Sequence, residues 1–212
     1  VEAAKICKIA YIKYQESNPK ELKRTMVVKS KKELYISVKG STDLSDWKQN
    51  FYCIQNEEGI HKGFHDYATS CLNELIDDNV INLMKRARHI TLCSHSLGGT
   101  ASIIIMSMLL SNYEFIKKQN IDLVLFGAPK PGGTKFMHRF NDLLREYPNV
   151  KVYRYVNEFD YISKFPPLAG YEHVCEEISL NSFTEYHAFD ILSNHAIQSY
   201  VDNLELERTK RP

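Results

Sequence analysis

The sequence of 212 residues has few of the features that mark metal sites, disulfide frameworks or membrane spans. Its five cysteines are an odd number and widely spaced, with no CxxC pair and no Cys/His cluster, so they give no zinc signature and no dense disulfide framework. HExxH and similar metal-ligand spacings are also absent, and we expect neither a metal nor an organic cofactor. The longest apolar stretch, residues 101–110, is interrupted by serines and is too short to cross a bilayer. We therefore expect no transmembrane segment.

Charge of one sign is not in excess either. The chain has 27 Lys and Arg against 26 Asp and Glu, a formal net charge of +1, and its basic residues are scattered apart from small groups at 29–32 and 208–211. Long-range attraction to nucleic acid or to an anionic membrane needs a stronger imbalance. The charge therefore argues against a protein whose main role is to bind nucleic acid or an anionic membrane.

The chain also lacks a charged and then apolar leader, internal repeats and low-complexity linkers. Cys53 and Cys93 lie in apolar runs, where a free thiol behaves as a small buried hydrophobe, so we expect a reducing, intracellular compartment. A secreted form stays open because the chain begins at Val1 rather than Met. The length and the ordinary composition, 43% hydrophobic and 25% charged, predict one domain over residues 1–212.

Predicted helices and strands alternate along the chain. Helical spacing of apolar residues predicts the helices, and short buried apolar runs predict the strands. The predicted elements are helices 1–15, 61–88, 97–118 and 134–147, a last helix from about residue 193, and strands 33–38, 51–55, 89–93, 121–126, 150–157 and 172–180. This order predicts an α/β fold with a mostly parallel central sheet and helices on both faces.

The strongest local pattern is the hexapeptide SHSLGG at residues 94–99, which follows a short apolar strand and precedes a helix. This is the context of a nucleophile elbow, a sharp strand-to-helix turn that lifts a serine hydroxyl above the sheet edge. Small residues are needed two before and two after the serine; Gly98 meets this demand and Ser94 approximates it. The helix start also directs N–H groups toward negative charge at the serine. We predict Ser96 as the nucleophile.

A serine nucleophile needs a histidine base and an acid to orient that base, and α/β-hydrolases carry them in the order Ser, Asp or Glu, His. Asp160 follows the predicted strand 150–157, at the edge where ligand-facing groups gather, and Glu158 is its rival. The required order and the late position favour His195 as the base. The downstream histidines considered are His173, His187 and His195.

The remaining histidines fit structural roles better. His95 adjoins the serine, but adjacent residues on a tight turn project in different directions, so we expect it to pack as a wall of the substrate site. His61 and His65 open a predicted helix, and His173 lies in a predicted strand.

Several blocks together make the chain resemble the class 3 lipase family, the group that includes the filamentous-fungal triacylglycerol lipases. They follow the family order from about residue 34 to 200, so the likeness spans most of the chain. The matching blocks are VKGST at 38–42 followed by Asp46-Trp47, HKGF at 61–64, SHSLGG at 94–99, FGAPKPG at 126–132, residues 153–167, and Asn194-His195 with Tyr200.

The resemblance implies an α/β-hydrolase with Ser96, Asp160 and His195 as its catalytic triad. It also implies that Ser41 is the oxyanion-hole residue, whose N–H and hydroxyl face the developing negative oxygen. The backbone N–H of Leu97 would be the second donor. Loss of one such donor costs on the order of 3 kcal/mol of transition-state stabilisation.

Residues 42–50, around the only tryptophan, Trp47, match the family's short lid. The resemblance implies that Trp47 turns an apolar face toward lipid or the acyl chain; alternatively it fills a gap over the sheet edge. Three residues depart from the family pattern: Ser94 replaces the usual glycine, Lys39 the usual arginine, and Asn50 an acidic residue. None of these changes removes a catalytic group.

The function implied is two-step hydrolysis of an ester through an acyl-enzyme. Acylglycerols are the first expectation, with phospholipids and small soluble esters as alternatives, and with transient contact at a lipid interface. A competing interpretation is a hydrolase-fold module that binds a lipid or a protein without turnover. Ser94 and Lys39 favour it, and the intact Ser96, Asp160 and His195 argue against it.

Overall fold

The computed structural model describes residues 1–16, 23–30, 33–40, 54–181 and 190–210. The helices in these ranges are α1 (Glu2–Glu16), α2 (Lys62–Asp77), α3 (Val80–Arg86), α4 (Leu97–Asn112), α5 (Thr134–Glu146), α6 (Ile191–His195) and α7 (Ile197–Lys210), with short 3-10 helices at Glu114–Lys118 and Ile162–Lys164. The strands are β1 (Thr25–Ser30), β2 (Glu33–Val38), β3 (His89–His95), β4 (Asn120–Phe126), β5 (Gly132–Gly133), β6 (Val150–Asn157), β7 (Tyr171–Glu172) and β8 (Glu177–Leu180).

A six-stranded sheet in the order β1-β2-β3-β4-β6-β8 forms the centre of the fold. β1 is antiparallel to β2, and the other neighbouring pairs are parallel. A separate antiparallel pair joins β5 to β7. Because parallel strands end at the same edge, the segments that follow β2, β3, β4 and β6 meet there. This edge therefore gathers Gly40, Ser96, Gly127 and Asp160.

Helices pack on both faces of the sheet, which confirms the predicted mostly parallel α/β architecture. On one face, apolar residues of β2, β3 and β4 pack against α2, α3, α4 and α5 in the larger core. On the other face, a smaller core lies between the sheet and helices α1 and α7. Burial of these two faces supplies most of the driving force for the fold.

Helix α4 lies inside the larger core and is apolar around almost its whole circumference. Nearly all of its residues are buried, including the consecutive run Ile103-Ile104-Ile105-Met106. A helix that is hydrophobic on all sides belongs in an interior rather than at a surface. Since α4 begins directly after Ser96, its packing fixes the position of that serine.

Two predicted helices are shorter than the sequence indicates. The helix expected over 61–88 is two helices, because Asn79 adopts a left-handed backbone (φ 59°), which asparagine tolerates better than most residues. The helix expected over 97–118 ends at Asn112, because the backbone of Tyr113 is extended (φ −129°, ψ 102°).

The predictions for the strands and the last helix also needed correction. β1 has no counterpart among the predicted elements, and the strand expected over 172–180 is two strands, β7 and β8, in different sheets. The last helix is divided into α6 and α7 because Ala196 has an extended ψ of 139°. Of the strand expected over 51–55, residues 51–53 lie outside the described ranges, and Gln55 makes a single bridge with His61.

Candidate active site

Ser96 lies at the sharp turn between β3 and α4. Its backbone has φ 58° and ψ −133°, a conformation that non-glycine residues rarely adopt and that is found at functional turns. The Ser96 N–H donates to the Phe126 carbonyl at 2.9 Å, and its carbonyl accepts from the N–H groups of Gly99 and Thr100. A Cβ at Gly98 would overlap the Val38 carbonyl oxygen, so only glycine allows the helix start to approach β2 this closely.

His195 bridges Ser96 and Asp160 through its two ring nitrogens. Its Nε2 lies 2.7 Å from Ser96 Oγ, and its Nδ1 lies 3.0 and 2.8 Å from Asp160 Oδ1 and Oδ2. An ionised carboxylate only accepts, so Nδ1 carries the proton and Nε2 is free to accept the hydroxyl proton of Ser96. The side chains are buried, with exposed fractions of 4% for Ser96, 8% for His195 and 0% for Asp160. The three residues predicted from the sequence, Ser96, His195 and Asp160, are thus joined by consecutive hydrogen bonds.

Asp160 receives further hydrogen bonds from around its carboxylate. Its Oδ1 accepts from the backbone N–H groups of Ile162 (3.0 Å) and Ser163 (3.3 Å), and its Oδ2 accepts from the Tyr200 hydroxyl (2.5 Å). Burial, and then the charge of Asp160, raise the pKa of Tyr200 well above its ordinary value, so the phenol keeps its proton. The Asn157 N–H in turn donates to the Tyr200 oxygen at 3.2 Å. These donors orient a buried carboxylate toward His195.

Gly127 makes room for the acid and the base. It follows β4 with φ 55°, and a Cβ there would lie 2.5 Å from Asp160 Oδ2, 2.8 Å from the Tyr200 oxygen and 3.1 Å from His195 Nδ1. Any side chain would therefore push these groups apart.

His95 lies behind His195, with its ring centroid 4.7 Å from that of His195. Its Nε2 donates to the His195 carbonyl oxygen at 2.6 Å, and its Nδ1 accepts from the Tyr11 hydroxyl at 3.0 Å. The Tyr11 oxygen also accepts the Gly40 N–H at 3.2 Å. Burial, and then the neighbouring His195, lower the pKa of His95 to about 3, so it is neutral at ordinary pH. Contact of His95 with substrate stays a prediction.

Of the residues predicted for the oxyanion hole and the lid, the structure describes only Leu97. Ser41, residues 42–50 with Trp47, and His187 lie outside the described ranges. The Leu97 N–H is at the first position of α4, where a helix has no internal acceptor for it.

The rival acid and base candidates within the described ranges, Glu158 and His173, make no contact with Ser96. Glu158 is exposed to solvent, and its N–H donates to the Leu180 carbonyl. His173 lies between β7 and β8 rather than in a strand, and its Nε2 donates to the Ser163 carbonyl at 2.9 Å. His61 is fully buried and caps the start of α2.

Sequence reasoning missed the residues that support the triad from behind. Tyr11 and Tyr200 contribute hydroxyls across 84 and 40 residues of chain, and Asn157 joins β6 to the end of α6 by donating to the Asn194 carbonyl at 3.0 Å. The sequence contains one indication that Tyr200 is important, because it belongs to the last block that matches the class 3 lipase family.

Neither a metal cluster nor a membrane span is found in the part of the chain that the structure describes. Within these ranges no three His, Cys, Asp or Glu side chains are grouped as metal ligands would be. None of the helices described there is long and apolar enough to cross a membrane.

Known structures share this fold at low sequence identity. A structure of the Rhizomucor miehei lipase–propeptide complex has a TM-score of 0.68 and 21% identity over 84% of this chain and 66% of that one. Yarrowia lipolytica Lip2 lipase has a TM-score of 0.56 and 20% identity over 70% of this chain and 57% of that one. A triacylglycerol lipase whose catalytic centre is formed by a serine protease triad has a TM-score of 0.64 and 22% identity, over 82% and 73%.

The chain spans less than two thirds of the length of the first two of these lipases, 66% and 57%. No curated protein sequence matches it significantly. The family model of class 3 lipases matches residues 35–170, well over half of the chain, and includes the elbow and Asp160. The chain therefore belongs to the class 3 lipase family.

Proposed function

We propose that this protein hydrolyses carboxylic esters of lipids, with Ser96 as nucleophile, His195 as general base and acid, and Asp160 as the residue that orients His195. The observation that carries the proposal is the continuous pair of hydrogen bonds from Ser96 Oγ to His195 Nε2 and from His195 Nδ1 to Asp160. An isolated serine hydroxyl is a weak nucleophile, and this arrangement activates it.

The proposed reaction has two steps, acylation of Ser96 and hydrolysis of the acyl-enzyme. Ser96 Oγ attacks the ester carbonyl carbon as His195 Nε2 takes the hydroxyl proton, and the tetrahedral intermediate expels the alcohol, which receives that proton. In the second step water attacks the acyl carbon while His195 Nε2 takes a proton from that water. The bond between the acyl carbon and Ser96 Oγ then breaks, His195 returns the proton to Ser96 Oγ, and the acid leaves. Asp160 stays ionised and stabilises the imidazolium.

The proposed oxyanion donors are the Leu97 N–H and the N–H and hydroxyl of Ser41. Leu97 begins α4 directly after Ser96, and Gly40, which precedes Ser41, lies so close to Ser96 that a Cβ there would be 3.1 Å from Ser96 Cβ. Gly40, the residue before Ser41 in the chain, therefore lies beside the nucleophile, and an oxyanion donor has to be near the nucleophile.

Acylglycerols are the proposed substrate class, met at a lipid interface. The proposal is supported by the family and by exposed apolar side chains next to the triad in the chain: Tyr161 follows Asp160, and Ile191 and Leu192 precede His195 on α6. Leu192 is the most exposed of these, at 62%. Apolar side chains left in solvent near an active site are typical of surfaces that contact lipid.

The test compares hydrolysis of p-nitrophenyl esters, from acetate to palmitate, by the wild type, by Ser96→Ala and by Ser111→Ala. Ser111 is an exposed serine at the far end of α4 and serves as the matched control. We expect activity in the wild type and in Ser111→Ala and none above background in Ser96→Ala. The preferred chain length then separates a lipase from an esterase of small soluble esters.

Covalent labelling by a fluorophosphonate distinguishes this proposal from a binding module without turnover, because the reagent needs an activated serine. We expect labelling of the wild type that Ser96→Ala abolishes. A wild type that neither hydrolyses any ester of the series nor reacts with the reagent would overturn the proposed function.

A further inference from the structure

Ser94 is a buried polar residue on β3, two residues before the nucleophile, at a position where the resemblance leads one to expect glycine. It is 0% exposed. Its Oγ accepts the backbone N–H of Val38 at 3.0 Å and lies 2.7 Å from the Oγ of Ser102 on α4. The side chain therefore joins three elements, β2, β3 and α4.

The hydrogen bond to Val38 lies where the pairing of β2 with β3 ends. The paired residues run from Glu33 opposite His89 to Ile36 opposite Leu92. Val38, two residues further on, donates its N–H to the Ser94 side chain instead. A buried N–H without an acceptor is costly, so the hydroxyl lets β2 extend toward the active site beyond its last residue paired with β3.

The segment that Ser94 holds is confined on several sides. The Val38 carbonyl oxygen lies against Gly98, the Lys39 carbonyl accepts the Tyr67 hydroxyl at 2.7 Å, and Gly40 lies against Ser96. A shift of Val38 would therefore be passed on to Gly98 and, through Gly40, to Ser96.

We infer that Ser94 is a positioning residue: its hydroxyl fixes residues 38–40 against Gly98 and Ser96. This contact holds the nucleophile and the proposed oxyanion donor Leu97, which lies between Ser96 and Gly98, in place for the transition state. Ser102 orients that hydroxyl through the Oγ–Oγ hydrogen bond. The inference rests on the proposed function, since it assigns Ser94 a part in the same reaction. It also gives a role to a residue that departs from the family's usual glycine.

The test measures kcat and KM for p-nitrophenyl butyrate, the inhibition constant of a phenylboronic acid, and backbone hydrogen exchange over residues 38–40. The variants are Ser94→Ala and Ser102→Ala, with Ser107→Ala as control. Ser107 is another buried serine of α4. A boronic acid forms a tetrahedral adduct with the nucleophile, so its affinity reports on the oxyanion site rather than on ground-state binding.

We expect Ser94→Ala to lower kcat about tenfold or more with KM within about twofold, because an oxyanion donor acts in the transition state. The boronate should bind correspondingly more weakly, and hydrogen exchange at Val38 should be faster. Ser102→Ala should change the same quantities in the same direction but less. Ser107→Ala should leave kcat and boronate binding within about twofold of the wild type.

An active wild type whose Ser94→Ala variant keeps kcat and boronate affinity would overturn this inference and leave the proposed function standing. An equal loss in Ser107→Ala would also overturn it, because the effect would then come from any buried serine of α4. If Ser94→Ala does not fold, Ser102→Ala decides, and unchanged kcat and exchange in that variant would reject the role of Ser94. An inert wild type would overturn the proposed function itself, and with it any part for Ser94 in the reaction.

Discussion

The ring of His95 holds the backbone of His195: its Nε2–H donates to the His195 carbonyl oxygen at 2.6 Å, while its Nδ1 accepts from Tyr11. The residue next to the nucleophile thus fixes the main chain of the proposed base. Because Tyr11 also accepts the Gly40 N–H, helix α1 is connected to both sides of the active site.

Tyr11→Phe should destabilise the protein and lower its activity. Removing the hydroxyl leaves the His95 Nδ1 without its donor and the Gly40 N–H without its acceptor, at a cost of about 1–3 kcal/mol for each buried group. The measurement is the free energy of unfolding in urea together with kcat. Tyr35→Phe, which removes a solvent-exposed hydrogen bond to Glu33, should stay within about 0.5 kcal/mol of the wild type. Equal stability of the two variants would contradict this prediction.

Asp160→Asn should lower kcat by about 10⁴-fold while the protein stays folded. The amide would donate to His195 Nδ1 and force the imidazole proton onto Nε2, where it blocks the transfer from Ser96. Steady-state kinetics on a soluble ester measure the effect, and circular dichroism checks the fold. Glu158→Gln, a change at the exposed neighbouring carboxylate, should retain near wild-type kcat. The assignment of Asp160 would be wrong if Glu158→Gln were the inactive variant.

Gly127→Ala should reduce activity far more than Gly170→Ala does. Both glycines have positive φ, 55° and 84°, so alanine brings backbone strain of roughly 1–3 kcal/mol at either position. Only at Gly127 would the new Cβ press on Asp160, Tyr200 and His195; at Gly170 there is nothing within 4 Å of it. A displacement near 1 Å in a catalytic group costs about 100-fold in rate. The measurements are kcat and the melting temperature of both variants. Backbone strain should lower the melting temperature of both, whereas displacement of the triad should lower kcat only in Gly127→Ala.

The folded protein should lose stability as pH falls below about 6.5, the ordinary pKa of histidine. Burial is the main cause that lowers the pKa of both His95 and His173 to about 3. The neighbouring His195 lowers the pKa of His95 further, and Arg154 lowers that of His173 further. Between pH 6.5 and 3 the unfolded chain binds more protons at these positions than the folded chain does, so acid favours unfolding, and above pH 6.5 neither group contributes a slope.

Urea unfolding of the wild type and of His173→Gln at pH 7 and pH 5 tests this dependence. The drop in unfolding free energy between the two pH values should be smaller in His173→Gln than in the wild type. His138→Gln removes an exposed histidine and should leave the drop unchanged. Identical pH dependence in all three proteins would contradict the prediction.

Leu192→Ser should slow hydrolysis of an emulsified triacylglycerol while leaving hydrolysis of a dissolved short-chain ester unchanged. The side chain is largely exposed on α6, three residues before His195, and its apolar surface is proposed to enter the lipid interface. Leu206→Ser alters an exposed leucine further along α7 and is the control. Equal loss on both substrates would point to damage at His195 rather than to weaker contact with lipid.

The sequence predicted the sheet, and it indicated which residues the sheet would bring together as the proposed triad, because both depend on local patterns. Apolar runs mark the strands, and strand ends in parallel sheets meet at one edge, which is why Ser96 and Asp160 could be chosen. β1 was missed because its pairing with β2 is antiparallel and its residues are only half-buried or exposed, which leaves a weak apolar pattern.

The groups that hold the triad could not be predicted in the same way. Tyr11 reaches His95, and Tyr200 reaches Asp160, through contacts that depend on how α1 and α7 dock on the sheet. A tyrosine on an amphipathic helix looks the same in sequence whether its hydroxyl supports a catalytic group or only faces solvent. Ser94 was likewise identified only as a departure from the family's usual glycine, because the sequence does not show that its hydroxyl accepts the Val38 N–H.

The position of His195 on α6, downstream of every strand of the central sheet, has a consequence for the protein during its own synthesis. A nascent chain that has completed β1 to β8 already holds Ser96 and Asp160 but lacks the proposed base. In the proposed mechanism, hydrolysis can begin only after α6 has left the ribosome and docked at the sheet edge. The proposed activity toward lipids of the cell that makes the protein is therefore withheld until nearly all of the described fold exists.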